Sequence, residues 1–132
     1  MEKKIKYNQK IVYLSGMITG NPYYKKQFAF FEKVFTEKGY LVINPAKLVL
    51  DWADVMNEEE RWAGYVTFDL ALLEHLKGMV FVFRLPTAHQ SKGASMEYAF
   101  ALKKDIPVID CMEVFPDYLE RMRKEREANE HD

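Results

Sequence analysis

Residues 91–109 read SKGASMEYAFALKKDIPVI, and this stretch contains a helix followed directly by a strand. Small residues around Gly93 can open the helix, and the Lys103-Lys104-Asp105 run can close it. The apolar residues from position 106 onward then predict a short buried strand. The stretch therefore predicts one step of an alternating α/β chain.

The rest of the chain repeats this alternation. Strands are predicted at 11–15, 40–44, 79–83 and 106–110, and helices at 22–38, 58–76, 93–103 and 116–127. The strands are continuous apolar runs, which is typical of parallel strands that are buried on both faces. We predict a doubly wound, flavodoxin- or Rossmann-like α/β/α domain with four or possibly five parallel strands in the order 2-1-3-4.

This topology also predicts where a ligand binds. In open α/β sheets the crevice lies beyond the carboxyl ends of the strands at which the order reverses, here strands 1 and 3. Three loops emerge at that edge, with the sequences SGMITGN, NPAKL and RLPTAHQSKG.

Composition excludes several classes of function. The 132 residues fit a single domain spanning 1–132, with 1–10 and 128–132 expected to fray. Nineteen basic residues against twenty acidic ones leave no cationic field for a nucleic acid polymer.

The single cysteine, Cys111, suits a reducing cytoplasm, and no apolar run is long enough for a membrane span. The three histidines lack metal-ligand spacing, so we expect no metal and no cofactor.

Two acids occupy positions that favour apolar neighbours. At 100° per residue, Glu97 shares its helix face with Gly93, Ala94, Phe100 and Ala101. Asp69 similarly completes an apolar stripe of Trp62, Val66, Leu73 and Leu76, and we expect Trp62 to pack in the core. A buried carboxylate is costly unless it is paired or lines a cavity. We therefore predict that both acids line one cleft, and carboxylate pairs cleave glycosidic bonds. A locally capped Asp69, or a Glu97 favoured by the helix dipole, is the alternative.

Residues 91–93 are candidates for anion binding. Ser91, Lys92 and Gly93 follow a βα loop, where backbone N–H groups at the start of a helix can bind an anion. An ordinary serine N-cap is the alternative. The first loop, SGMITG, lacks the G-x-G-x-x-G pattern and does not predict a dinucleotide.

Four motifs together resemble the nucleoside 2-deoxyribosyltransferase superfamily, which includes 2'-deoxynucleoside 5'-phosphate N-hydrolases. These are YLSGMITG after a charged start, NP after strand 2, FDLALLEHL before strand 3, and SKGASMEYAFALKKDIPVI. The resemblance covers about residues 11–110. It implies a homodimer or higher homo-oligomer that acts on a small nucleoside or nucleotide. The aromatic residues Trp52, Trp62, Tyr65 and Phe68 are candidates for the subunit contact.

The resemblance also assigns roles to individual residues. Glu97 matches the nucleophile, Asp69 the group that assists the leaving base or positions the sugar, and Tyr13 the residue that orients the nucleophile. Substrate contacts are implied for the first-loop residues Ser15, Gly16 and Met17 and for the 91–93 segment.

Ser91 stands where the transferases carry an aspartate that holds the 5'-hydroxyl, and a serine suits a 5'-phosphate better. Lys77-Gly78 replaces a frequent acid, and the first-loop arginine of some nucleotide hydrolases is absent. We predict an N-glycosidase acting on a (deoxy)nucleoside 5'-monophosphate. The alternatives are a base-exchanging deoxyribosyltransferase and a non-catalytic module that binds or sequesters a nucleotide.

Overall fold

The computed structural model of the protein describes residues 9–48 and 55–130. Within them the sheet has four strands, all parallel, in the order β2-β1-β3-β4, as predicted. The strands are β1 (Ile11–Ser15), β2 (Leu41–Ile43), β3 (Val80–Arg84) and β4 (Val108–Asp110). The strand β4 begins later than predicted, since Pro107 has no N–H to donate to a ladder.

The predicted helices form, with shifted ends. They are α1 (Tyr24–Glu37), α2 (Glu58–His75), α3 (Lys92–Lys103), the short α4 (Cys111–Val114) and α5 (Tyr118–Glu130). The helix α4 was not predicted, and it begins where the Asp110 carboxylate accepts the Met112 N–H at 3.0 Å. The helix α5 extends to Glu130, and most of the residues expected to fray, 1–8 and 131–132, lie outside the described residues. No helix in the described part of the chain has the length and apolarity that a membrane crossing requires.

Each face of the sheet carries its own apolar core. On one face, Phe28, Phe31 and Phe35 of α1 pack with Phe81 and Phe83 of β3. On the other face, residues of α2 and α3 cover the remaining strand positions; this cluster contains Tyr13, Leu73, Val80, Val82, Ala101, Ile106 and Val108. Burial on both faces explains why the strands read as continuous apolar runs. The fold is therefore a doubly wound α/β domain.

Two capped helix ends lie at the sheet edge where β1 and β3 finish. The helix α2 begins with a capping box, in which Asn57 Oδ1 accepts the Glu60 N–H at 2.8 Å and Glu60 Oε1 accepts the Asn57 N–H at 3.1 Å. The helix α3 begins where Ser91 Oγ accepts the Ala94 N–H at 3.1 Å. These caps fix both helix starts, because each satisfies backbone donors that have no partner within the helix. The two helices pack against each other on one face of the sheet.

Candidate active site

A cavity of about 890 Å³ opens at the carboxyl ends of the strands, as the topology predicts. This volume lies within the range of small-molecule sites. Its walls come from the end of β1 and the first loop, from α2 between Glu58 and Asp69, and from the start of α3. Both Asp69 and Glu97 line it. The two acids that periodicity placed on apolar faces thus share one cavity.

Glu97 is held by two hydroxyl groups from β1. The Tyr13 hydroxyl donates to Oε2, and the Ser15 hydroxyl donates to Oε1 at 2.7 Å. Side chains two apart on a strand point to the same face, so Tyr13 and Ser15 both face α3. All three residues are buried. The carboxylate of Glu97 therefore points inward because both of its oxygens are hydrogen-bonded there.

Asp69 lies beside this group and is also buried. Burial raises the pKa of Asp69 to about 6, an effect that interactions with Tyr13 and Glu97 partly offset. Burial likewise raises the pKa of Glu97 to about 7; the two hydroxyl donors oppose this rise, and the Asp69 charge adds to it. The pKa of Tyr13 lies well above its usual value because the phenol is buried between two acids. The phenol thus remains a donor across the physiological pH range.

The two carboxyl groups titrate together, so near neutral pH the pair holds one shared proton for part of the time. A carboxylate that accepts two hydrogen bonds is stabilised in its charged form. Glu97 accepts both hydroxyl bonds. Burial nevertheless leaves Glu97 with the higher pKa, about 7 against about 6 for Asp69, so in the free protein the shared proton lies mainly on Glu97. Transfer of this proton to Asp69 gives a charged Glu97 and a protonated Asp69, which are one nucleophile and one acid in the same cavity.

The first loop contributes a backbone surface to the cavity. Gly16 lines it, and a Cβ at this position would lie 3.0 Å from Leu85 Cβ and 3.3 Å from Phe28 Cζ. Glycine is therefore needed for packing beneath the loop. The Met17 N–H donates to Thr87 Oγ1 at 3.2 Å, and so it is already satisfied within the protein. The hydroxyl of Ser15, which is predicted to contact substrate, donates to Glu97.

All three residues of the 91–93 segment line the cavity. The Ser91 oxygen caps α3, so the N-cap alternative holds for its acceptor function. The Lys92 Nζ lies 4.8 Å from the centroid of the Trp62 ring. Trp62 was expected in the core, but it is only half-buried and forms part of the cavity wall. The apolar stripe of α2 thus faces the cavity at Trp62 and the core at Leu73.

Comparison with known proteins places this architecture in a family. The family described as a domain of unknown function, DUF4406, matches residues 10–110. The chain belongs to this family. The matched part of this DUF4406 chain contains the whole site, from Tyr13 to Glu97. Neither a curated protein nor a solved structure matched it.

One cation in the cavity wall of the DUF4406 chain was not predicted from the sequence. Arg61 lines the cavity from the first turns of α2. A signal was present, because Arg61 lies three residues after Glu58 and four before Tyr65, and both also line the cavity. Residues three and four apart share one helix face. Among the described residues, no group of three or more His, Cys, Asp or Glu could hold a metal ion.

Proposed function

We propose that the protein is an N-glycosidase that breaks the bond between base and sugar in a nucleoside or nucleotide, with Glu97 as the nucleophile. The observation that carries this proposal is the state of Glu97. It is buried in the wall of a ligand-sized cavity, hydrogen-bonded at both oxygens and adjacent to a second buried acid. Two acids that served only to stabilise the fold would not have to line a cavity of this size.

In the first step, a Glu97 oxygen attacks the anomeric carbon of the sugar. The bond between that carbon and the base nitrogen breaks, and its electron pair leaves with the base. Asp69 donates its proton to the departing base, which leaves as a neutral molecule. The product on the protein is a glycosyl ester of Glu97, and Asp69 is now ionised.

In the second step, water attacks the same carbon. Asp69 accepts a proton from that water, and the ester bond to Glu97 breaks with its electrons returning to the carboxylate. The free sugar leaves, and both carboxyl groups return to their initial protonation states. If a second base takes the place of water, the result is base exchange rather than hydrolysis.

Tyr13 and Ser15 position the nucleophile. Their two hydrogen bonds fix the plane of the Glu97 carboxylate and favour its charged form. They weaken as Glu97 transfers its charge into the ester bond, and they strengthen again when the carboxylate is regenerated. Their role is therefore to hold Glu97 ready for attack.

The test is release of free base. The purified protein is incubated with a panel of nucleosides and deoxynucleosides and their 5'-monophosphates, and the products are separated by chromatography. We expect base release by the wild type, lowered by a factor on the order of 10³ or more in Glu97→Gln. Glu74→Gln is the matched control, because Glu74 is an exposed acid on α2 outside the cavity.

Mass spectrometry of the intact protein adds a second measurement. A sugar adduct on the wild type that is missing from Glu97→Gln supports the covalent step. Exchange with a labelled second base identifies a transferase. Recovery of every substrate intact, with ligand still bound, contradicts the glycosidase and leaves the sequestering module.

A further inference from the structure

A second, smaller cavity meets the first one at Asp69. It has a volume of about 290 Å³, and its walls come from β2, from the turn that follows β2, and from α1 and α2. Among the described residues, Asp69 and Pro45 line both cavities, whereas Glu97 lines the larger one alone. Asp69 is therefore part of the partition between the two cavities.

The second cavity reaches the protein surface. Two of its wall residues, Phe68 and Lys47, are exposed, and Lys47 Nζ pairs with Glu32 Oε2 at 2.7 Å. Asp69 belongs to the same wall but is buried. The second cavity thus extends from solvent to a buried acid.

Most of the wall is apolar, but two polar side chains interrupt it. One is Asp69 and the other is Asn44, whose Oδ1 accepts the Ala46 N–H at 3.0 Å. The amide NH₂ group of Asn44 has no hydrogen-bond partner in the part of the chain that the structure describes. A buried water needs about two to four polar partners, and an entirely apolar cavity stays dry. The Asn44 amide and the Asp69 carboxyl group are partners of the kind that hold water.

We propose that the second cavity delivers the hydrolytic water to Asp69, so that this water does not have to pass the sugar and the base in the larger cavity. This inference rests on the proposed function, since it names the route by which the second reactant enters that same site.

The second step of the proposed reaction explains why a separate route matters. At that stage the larger cavity holds the sugar bound to Glu97 and the released base. Water from the second cavity arrives at Asp69, the group that takes its proton. One O–H bond of the water breaks and its proton passes to Asp69, while the oxygen bonds to the anomeric carbon. The ester bond breaks, and its electron pair returns to Glu97. Such a route favours hydrolysis over base exchange, because water and base do not compete for one entrance.

The first test is a crystal structure of the wild-type protein without substrate. We expect ordered waters in the second cavity, one of them within hydrogen-bond distance of an Asp69 oxygen. A dry second cavity overturns the route. This measurement needs no substrate, and so its result does not depend on whether the protein is a glycosidase.

The second test fills the cavity and follows the two chemical steps separately. Leu72→Phe and Phe68→Trp each add side-chain volume to a residue that lines the second cavity and not the larger one. The first turnover of base release should stay within about twofold of wild type, whereas the steady-state rate of hydrolysis should fall at least about tenfold. The sugar adduct on Glu97 should accumulate in the intact-mass spectrum. Exchange with a labelled second base should continue, because that base enters through the larger cavity.

Leu76→Phe is the matched control, because Leu76 lies on the same side of the sheet but lines neither cavity. It should leave both the first turnover and the steady-state rate unchanged. An unchanged steady-state rate in both filled variants overturns the route, and so does an equal loss of the first turnover and the steady-state rate.

The outcomes separate this inference from the proposed function. If waters reach Asp69 through the second cavity but no substrate releases its base, the solvent route stands and only the glycosidase proposal fails. If the wild type releases base and the second cavity is dry, the glycosidase stands and the route is overturned.

Discussion

Burial of Glu97 destabilises the folded protein when the carboxyl group is charged, and it also places the pKa of that group near neutral pH. Only 6% of its surface is exposed, and its pKa is raised to about 7 because burial disfavours the charge. A carboxyl group poised near neutral pH can gain and lose charge during a reaction. The same burial means that its ionisation opposes folding.

The pH dependence of stability follows from this shift. The ordinary pKa of Glu97 is 4.5, so between about pH 4.5 and 7 the folded protein holds more protons than the unfolded chain. The free energy of unfolding must therefore fall as the pH rises through this range. The pKa of Asp69 is raised from 3.8 to about 6, so Asp69 also lowers the free energy of unfolding as the pH rises, over a slightly lower pH range.

Glu97→Gln should therefore stabilise the protein at pH 8 but not at pH 4.5. The gain in the free energy of unfolding of the variant over the wild type should be about 3 kcal/mol larger at pH 8 than at pH 4.5, because one pKa unit corresponds to about 1.4 kcal/mol. Urea unfolding of variant and wild type at both pH values measures it. Glu74→Gln, on an exposed side chain, should show no comparable change. Parallel pH profiles for Glu97→Gln and wild type would contradict the buried ionisation.

Tyr13→Phe and Ser15→Ala should each lower kcat with little change in KM. Each variant removes one donor from Glu97, so the pKa of Glu97 should rise further and the acidic limb of the pH–rate profile should move to higher pH. Steady-state kinetics across pH 5–9 would measure this. Tyr40→Phe makes the same change on a tyrosine that packs with Phe35 and Phe81, away from the site. If kcat falls but the acidic limb of the pH–rate profile does not move, the role of Tyr13 and Ser15 is only structural.

At the scale of elements, the end of β1 and the start of α3 both place a glycine at the cavity, for different reasons. A Cβ on Gly16 would lie 3.0 Å from Leu85 Cβ, an atom fixed to a buried backbone. A Cβ on Gly93 would first meet Val66 Cγ2, at 3.5 Å, which is ordinary contact. Packing therefore requires glycine at the first position only.

Gly16→Ala should destabilise the protein by about 1–3 kcal/mol, the usual cost of overpacking a core. Gly93→Ala should be neutral or stabilising by up to about 1 kcal/mol, since alanine favours a helix over glycine. Thermal unfolding of the two variants is the direct comparison. Equal destabilisation by both would show that the close approach at Gly16 is relieved in solution. Reduced ligand binding in a stable Gly93→Ala would show that ligand approaches the backbone there.

At the scale of the whole molecule, self-association stays a prediction. Of the four aromatic residues that suggested a subunit contact, Trp52 lies outside the described residues, and Trp62 and Tyr65 line the cavity. Phe68 is 42% exposed and Leu41, on β2, is 67% exposed. The apolar surface available to a partner is therefore smaller around α2 than the sequence indicated.

We expect a dimer by sedimentation equilibrium at micromolar concentration, and Phe68→Lys should weaken it. Exposed aromatic side chains stabilise interfaces, whereas a lysine there must be desolvated on association. Lys26→Ala, on the exposed face of α1, serves as the control. A monomer mass for the wild type would contradict the expectation of a homo-oligomer.

The sequence by itself determined the fold class, the strand order and the two acids. Continuous apolar strands alternating with helices leave few parallel arrangements, and the right-handed crossover rule selects among them. Glu97 and Asp69 could be found because a charge on an apolar helix face breaks a local period of 3.6 residues. These are properties of neighbouring residues, and so they can be read along the chain.

Only the tertiary structure decided what surrounds those acids. Ser15 binds Glu97, 82 residues away, and Tyr13 does so across 84 residues. Trp62 lines the cavity rather than the core, and Arg61, the residue before it on α2, lines the same cavity. Such contacts depend on which elements lie side by side in space. The local period of one helix cannot encode them, because the partners come from strands and loops far away in sequence.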